Sequence, residues 1–219
     1  MKQVWIVIPA HNEQATLAQV IKGIRQYVDQ VVVVNDASTD ITAQVAKQMG
    51  VNLISNQRNL GYAKSLERGL RLAFAKGASY CICWDADGQH VLKNLPKILT
   101  IIKSDQPDII VGKRQQHNRW MERVWGIYSR FRFGFSDPLC GLKAYSHRVW
   151  ERYGYVEGKY TIATELLFKA VTDGMKWQEV EVVVKQRVDQ SRFGDAVKGN
   201  LLELRALVNV VFGRFLGNW

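Results

Sequence analysis

No apolar run in this 219-residue chain reaches the roughly eighteen residues that a membrane-spanning helix needs. The longest candidate in the last third, residues 206–213, has an arginine on each side. The first residues enter a strand-like pattern directly, without the apolar core of a secretion signal. Cysteines number only three, an odd count without zinc-binding spacing. These features argue against a membrane-spanning or disulfide-stapled protein, and they predict a cytoplasmic protein with buried thiols.

Acidic residues are also scarce, with 20 against 30 lysines and arginines and a formal net charge of +10. The excess is concentrated in residues 109–136, where six basic residues are opposed by a single acidic one. A positive field of this kind suits phosphorylated small molecules, anionic lipid or nucleic acid. The chain has no nucleic-acid-binding fingerprint. We therefore expect a phosphate-bearing substrate or a membrane surface, and no nucleic-acid partner.

Short apolar runs alternate with helical patterns over the first half of the chain, which predicts an α/β fold with parallel strands and right-handed crossovers. A turn-rich loop is predicted over residues 133–141, a strand over 179–188 and an amphipathic helix over 197–219. The other predicted strands are 4–8, 31–34, 51–55, 80–84 and 108–111, and the other predicted helices are 13–27, 39–49, 62–76 and 92–103.

The most informative stretch is residues 85–90, Asp-Ala-Asp-Gly-Gln-His, directly after the strand predicted over 80–84. Open α/β sheets bind their ligands at the carboxyl ends of their strands. Mg²⁺ and Mn²⁺ prefer oxygen ligands, usually a few carboxylates completed by substrate phosphates and water. Asp85 and Asp87 are therefore candidate metal ligands. A solvated turn is the alternative that this stretch alone leaves open.

Three other predicted strand ends carry polar side chains. His11, Asn12 and Glu13 follow the first strand, and Asn12 could cap a helix that begins at Glu13. Asp36 follows the second strand and could accept hydrogen bonds from a nucleobase. Lys64 follows the third, where it could meet an anion or be a solvated helix lysine. Polar residues at four successive strand ends favour one ligand site over four unrelated turns.

These motifs resemble, in order, those of the family 2 inverting glycosyltransferases, and most of all the dolichol-phosphate mannosyltransferase-like branch. They are Ile-Pro-Ala-His-Asn-Glu at 8–13, Asn-Asp-Ala-Ser-Thr-Asp at 35–40, residues 59–63, and residues 85–90. The resemblance implies the GT-A fold, a Rossmann-like, mostly parallel sheet flanked by helices, over residues 1–194. A C-terminal amphipathic helix over 195–219 would follow. It also implies a nucleotide-diphosphate sugar as donor, carrying uracil or guanine, and Mg²⁺ or Mn²⁺ as cofactor.

Position by position, the resemblance implies a set of site residues. Asp36 would contact the base, and Asp85 would face the ribose and sugar. Asp87, with Gln89 and Asp85, would hold the metal. Ala37 stands where the family usually has glycine. The predicted donor site comprises Pro9, Ala10, His11, Glu13, Asp36, Lys64, Asp85, Ala86, Asp87 and Gln89, and the predicted catalytic residues are Asp85, Asp87, Asp137 and Arg192.

The acceptor is predicted from the chemistry of the transfer. A hydroxyl acceptor would need a general base, for which Asp137 and Glu165 are candidates. An acceptor phosphate is already ionised and needs cations instead, and arginine suits its oxygens. We expect a polyprenyl phosphate as acceptor, with a hydroxyl of a glycan or of a lipid-linked sugar as the alternative. The alternative to an enzyme is a non-catalytic nucleotide-binding module. The residues predicted to bind the acceptor phosphate are Arg114, Arg130, Arg132, Ser191 and Arg192.

The C-terminal helix supports a similar expectation. Leu201, Leu204 and Val208 fall on one face at helical spacing, and Arg205 adds positive charge nearby. This pattern is typical of an interfacial helix, and equally of a helix packed on its own domain or on a partner subunit. The expected location is cytoplasmic and peripheral on the inner face of a membrane, with a membrane-protein partner or a homo-oligomer as possible assemblies.

Overall fold

The structure, a computed structural model, describes residues 3–115, 119–156, 164–185 and 196–215. Strands and helices alternate along most of this length. The strands are β1 (Val4–Ala10), β2 (Val31–Asn35), β3 (Asn52–Ser55), β4 (Tyr80–Cys83), β5 (Ile109–Arg114), β6 (Lys143–Ser146) and β7 (Trp177–Val182). The helices are α1 (Leu17–Ile24), α2 (Thr42–Gln48), α3 (Tyr62–Ala75), α4 (Asn94–Ser104), α5 (Trp120–Phe133), α6 (His147–Tyr153), α7 (Glu165–Thr172) and α8 (Ala196–Phe215).

The seven strands form one sheet in the order β3-β2-β1-β4-β6-β5-β7. All neighbours are parallel except β6, which runs antiparallel to both β4 and β5. The predicted α/β class is therefore confirmed. β6 and the following α6 were not predicted, because the four-residue strand Lys-Ala-Tyr-Ser has neither a long apolar run nor a clear alternation.

Helices cover both faces of the sheet, so its central strands are apolar on both sides. In β2, Val32 and Val34 pack into one core and Val31 and Val33 into the other. Consecutive residues of a strand point to opposite faces, which is why a continuous valine run fits a doubly covered strand.

Two helices begin later than predicted. α1 begins at Leu17 rather than at residue 13, and α2 begins at Thr42 rather than at residue 39. Asn12 does not cap α1: its side-chain oxygen accepts a hydrogen bond from the backbone N–H of Thr39, at 2.8 Å, and its own N–H donates to Ser38 Oγ, at 3.0 Å. The residues between each strand and its helix therefore form two loops that bond to each other.

The cysteines are buried free thiols, as predicted. Burial raises the pKa of both Cys83 and Cys140 to about 12, because a thiolate would be poorly solvated there. These side chains are neutral packing groups near neutral pH.

The C-terminal helix α8 packs against α5. The indole N–H of Trp125 donates to the carbonyl of Glu203, at 3.0 Å, and Ala206 and Val210 join the core on that side of the sheet. Among the described residues, no helix is both long enough and apolar enough to cross a membrane.

Candidate active site

The ends of four parallel strands meet at one edge of the sheet. Ala10 at the end of β1 is in register with Asn35 at the end of β2, which is in register with Ser55 at the end of β3. On the other side of β1, the N–H of Trp84 donates to the carbonyl of Val7, at 3.0 Å. The predicted strand-end motifs therefore share one edge, as the parallel arrangement requires.

The loops after β1 and β2 are joined through His11. Its Nδ1 lies 2.8 Å from the backbone carbonyl oxygen of Asp36. A carbonyl can only accept, so Nδ1 carries the hydrogen and Nε2 is the acceptor of the neutral ring. Glu13 is buried, its N–H donates to Thr42 Oγ1 at 2.8 Å, and its carboxylate accepts from the hydroxyl of Thr16 at 3.1 Å. This side of the edge is held rigidly.

Two non-glycine residues in these loops have left-handed backbone conformations, Asn12 with φ 55° and Ala37 with φ 53°. Such a conformation costs a residue with a Cβ roughly 1–2 kcal/mol, and strain of this kind clusters at functional sites. The glycine that the resembled family usually has at position 37 would avoid this cost. In this chain Ala37 adopts the left-handed conformation nonetheless.

Asp36 is buried and holds the loop between β3 and α3. Its Oδ1 accepts from the N–H of Leu60 at 2.8 Å and from the side-chain amide of Asn56 at 2.7 Å, and its Oδ2 accepts from the N–H of Gly61 at 2.8 Å. The carboxylate therefore positions the wall of the site, and its predicted contact with a nucleobase stays a prediction. Lys64, in the first turn of α3, is exposed and pairs with Glu67 at 3.0 Å.

Asp85 is held from two sides. Its Oδ2 lies 3.0 Å from Nε2 of His90, whose ring is buried edge-on against the indole of Trp84 with centroids 5.3 Å apart. On the other side the backbone of Gly141 approaches closely: a Cβ there would lie 2.3 Å from the same oxygen. The carboxylate therefore has a defined position at the end of β4. Sequence reasoning missed His90, although it belongs to the 85–90 motif.

The rest of the motif is tied to the residues after β7. Gln89 makes two hydrogen bonds with the backbone of Lys185. Its backbone carbonyl accepts from the N–H of Lys185 at 2.8 Å, and its side-chain Nε2 donates to the carbonyl of Lys185 at 3.4 Å. Asn94 pairs with the backbone of Val183 through two hydrogen bonds of 2.8 and 3.0 Å. Residues 186–195 follow directly in the sequence. Ser191 and Arg192, predicted to contact phosphate, lie in this segment outside the described residues, so that role stays a prediction.

The residues at this turn fit a divalent cation. Asp87 is partly exposed, and its Oδ1 accepts from the N–H of Gln89 at 3.0 Å. Since Gln89 directs its amide nitrogen to a carbonyl, only its Oε1 could be a metal ligand. Within the described chain no three His, Cys, Asp or Glu side chains form a complete cage. A site with one or two carboxylates, completed by oxygens of the substrate, is the kind that Mg²⁺ and Mn²⁺ prefer.

Asp137 forms a buried two-pronged ion pair with Arg114. Its Oδ2 accepts from Nε at 2.8 Å and from the backbone N–H at 3.0 Å, and its Oδ1 accepts from Nη2 at 2.9 Å. Burial alone would lower the pKa of Arg114, but the hydrogen bonds and charge of Asp137 outweigh it and raise that pKa well above its usual value. Arg114 is thus paired with carboxylates in this structure, and its predicted contact with the acceptor phosphate stays a prediction.

The ion pair continues into a buried chain of alternating charges. Arg114 Nη1 lies 3.5 Å from Glu122, which also accepts from Arg119 at 3.1 Å. Arg119 in turn pairs with Glu203 of α8. Burial raises the pKa of Glu203, an effect that the neighbouring Arg119 opposes. The chain of charges links the end of β5 to α5 and α8, so the C-terminal helix is anchored beside the site.

The second candidate base, Glu165, begins α7 as predicted and is also paired. Lys169 lies 2.7 Å from its Oε1, and the Tyr155 hydroxyl donates to the same oxygen at 3.2 Å. Burial would lower the pKa of Lys169, but the hydrogen bond to Glu165 outweighs it and raises that pKa. Both of the predicted candidate bases, Asp137 and Glu165, are therefore paired with cations.

Two further arginines predicted to bind the acceptor phosphate lie elsewhere. Arg130 and Arg132 are exposed in the last turn of α5, which at 14 residues is about 21 Å long. Gly134 follows and lies against the ring of Trp177, the first residue of β7, which pairs with Ile109 at the start of β5. This is the end of the sheet opposite the strand ends described above, and the predicted contact of these two arginines with the acceptor phosphate stays a prediction.

The fold of this chain has close counterparts among solved structures. The chain superposes on glucosyl-3-phosphoglycerate synthase from Mycobacterium tuberculosis, solved with Mn²⁺, uridine diphosphate and glucosyl-3-phosphoglycerate, with a TM-score of 0.76. The two share 18% identity, and the match covers 96% of this chain and 79% of the other. This likeness shows the fold and confirms the predicted GT-A architecture.

The chain belongs to glycosyl transferase family 2, whose sequence profile matches residues 5–172. It is 23% identical to the undecaprenyl-phosphate mannosyltransferase of Micrococcus luteus, over 99% of this chain and 96% of the relative. It is 24% identical to the polyprenol monophosphomannose synthase of Mycolicibacterium smegmatis, over 83% of this chain and 77% of the relative. The predicted family and the prediction of an enzyme are confirmed.

A Gly141→Ala variant should test the close packing at Asp85. The added Cβ would lie 2.3 Å from Oδ2 and 3.0 Å from Cγ of Asp85, so the carboxylate must move. Displacing a site group by about 1 Å costs on the order of 10²-fold in rate, which is the expected loss of sugar transfer. Gly174→Ala is the control, since Gly174 has a positive φ of 77° but open space around it. It should lower the melting temperature without lowering turnover; equal turnover loss in both variants would contradict the assignment.

Proposed function

We propose that this enzyme transfers a sugar from a nucleotide-diphosphate sugar to the phosphate of a polyprenyl phosphate, with Mg²⁺ or Mn²⁺ bound beside Asp87. The observation that carries the choice of acceptor is that Asp137 and Glu165 are both held in ion pairs, by Arg114 and Lys169. A carboxylate engaged by a cation is a poor general base. A phosphate acceptor, being already ionised, needs none.

The donor side of the proposal rests on the acidic turn and on the solved neighbours. Two of those neighbours are described with Mn²⁺ and either uridine diphosphate or UDP-glucose. In this chain Asp87, with Oε1 of Gln89, would hold the cation, and Asp85 would face the sugar from a position set by His90 and Gly141. When bound, the cation would neutralise the charge that the departing diphosphate gathers. The guanine or uracil of the donor would lie near His11.

The acceptor side is supported by the relatives. The undecaprenyl-phosphate mannosyltransferase and the polyprenol monophosphomannose synthase, which match most of this chain, are both named for polyprenyl acceptors. The chain also has the positive charge, +10, that an anionic lipid headgroup would attract. These points favour activity at the cytoplasmic face of a membrane.

A donor panel tests this function. The full chain is incubated with UDP- and GDP-sugars, Mn²⁺ or Mg²⁺, and a lipid extract, and the lipids are analysed by mass spectrometry. We expect one class of donor to yield a glycosylated polyprenyl phosphate, with no product when the cation is chelated. Sugar transfer only to hydroxyl groups, or transfer that continues with chelator present, would contradict the proposal.

A further inference from the structure

Helices α5 and α8 carry most of the large hydrophobic side chains that are exposed in the described part of the chain. Six of the ten large hydrophobic side chains exposed there lie on these two helices. On α5 they are Trp120, Ile127 and Phe131, which are 58%, 72% and 96% exposed. Since an α-helix turns by about 100° per residue, these three lie within roughly 40° of one another. They form a single stripe along the helix.

α8 presents a similar stripe on the same side of the molecule. Both helices bury their opposite faces in one core, through Trp125 of α5 and Ala206 and Val210 of α8. Their exposed faces therefore both point away from the sheet. We name the combined surface the α5–α8 face, and its apolar members are Trp120, Ile127, Phe131, Leu201, Leu204 and Val208.

On these two helices the acidic side chains are buried and the exposed charged side chains are basic. The only acidic residues in the two helices are Glu122 and Glu203, and both are buried, at 4% and 3% exposed, in the ion pairs with Arg119. No carboxylate of α5 or α8 therefore reaches the surface. The exposed charged side chains described on these helices are all arginines: Arg123, Arg130, Arg132 and Arg205.

We propose that the α5–α8 face binds the surface of a bilayer that contains anionic lipid. Trp120 and Phe131 are the kinds of side chain that enter the interfacial layer, and arginines beside them would meet lipid phosphates. A second copy of the chain is a poorer fit. It would bring Arg123, Arg130 and Arg205 against the same arginines, and like charges facing each other oppose association.

This inference goes beyond the proposed function, since it concerns where the protein binds rather than what it transfers. It also differs from an interfacial C-terminal helix alone, because the most exposed apolar residues are Ile127 and Phe131 of α5. Vesicle binding needs no donor or acceptor. A lack of vesicle binding would therefore leave the proposed transfer reaction untouched, and a lack of transfer would leave the proposed membrane binding untouched.

The test is sedimentation of the full chain with vesicles, without substrates. One set contains phosphatidylcholine alone and the other contains phosphatidylcholine with phosphatidylglycerol. We expect binding to the second set that weakens as salt is raised. The double variant Ile127→Ser/Phe131→Ser should bind at least about 10-fold more weakly, since each side chain contributes apolar burial. The double variant Arg123→Gln/Arg130→Gln should lose the preference for anionic vesicles.

Tyr27→Ser/Ile41→Ser is the matched control, because these apolar residues are 46% and 51% exposed in turns outside α5 and α8. It should bind like the wild type, and all variants should keep the wild-type melting temperature. The proposal is overturned by equal, weak binding to both vesicle sets or by undiminished binding of Ile127→Ser/Phe131→Ser. Dimers of the wild type in solution that this variant abolishes, without vesicle binding, would assign the face to a second copy instead.

Discussion

Alanine in place of Asp87 should lower the rate of sugar transfer by about 10²–10³-fold, the usual cost of losing one group that stabilises developing charge. Asp87 is partly exposed at the end of β4 and belongs to no complete protein cage among the described residues, so the bound cation would depend strongly on this one carboxylate. Calorimetric titration of Mn²⁺ into the protein with UDP or GDP should show weakened binding in the variant.

Asp87→Asn separates charge from structure. An asparagine oxygen can still accept the hydrogen bond that Gln89 N–H donates to Asp87 Oδ1, at 3.0 Å, so the turn should remain intact. We expect wild-type melting, and transfer reduced nearly as far as in Asp87→Ala. Asp29→Ala, at an exposed position before β2, should retain full transfer. Wild-type Mn²⁺ binding and transfer in Asp87→Ala would refute the metal assignment.

The second large effect is on stability. Asp137→Ala should lower the free energy of unfolding by about 3 kcal/mol, because it leaves the buried guanidinium of Arg114 without its main partner. For a chain of this size that loss corresponds to a melting temperature lower by about 6–12 °C. Thermal unfolding followed by circular dichroism measures it directly.

Asp173→Ala is the matched control for this pair. Asp173 also accepts two hydrogen bonds from one arginine, Arg152, at 2.8 and 3.2 Å, but both side chains are exposed. Surface pairs contribute little, so its melting temperature should fall by a small fraction of the Asp137→Ala shift. If Asp137→Ala melted like the wild type yet lost transfer, Asp137 would act in the reaction rather than in holding Arg114.

The four strand ends that form the site were predictable from the sequence because each element carries a local signal. The valine run of β2 and the carboxylates after β4 are each a short local stretch of sequence. Parallel pairing places the strand ends at one edge of the sheet, and this can be predicted without knowing how the side chains pack. The same logic explains the family prediction, since these motifs are short and ordered along the chain.

Contacts between distant segments were not predictable in this way. Gly141 meets Asp85 only because β6 runs back between β4 and β5, and that strand is four residues long. The pairing of Arg114 with Asp137 was not predictable, because the two residues are 23 positions apart in the sequence. The inward orientation of Glu203 likewise depends on how α8 packs on α5.

We propose that the sugar is transferred to a phosphate oxygen, since Asp137 and Glu165 are both engaged by cations. The most direct measurement compares a polyprenyl phosphate with the corresponding polyprenol, each offered with the donor selected by the panel, and determines the linkage in the product by mass spectrometry and ³¹P NMR. We expect a glycosyl phosphate diester from the lipid phosphate and no product from the alcohol. A glycoside formed on the polyprenol hydroxyl would contradict it.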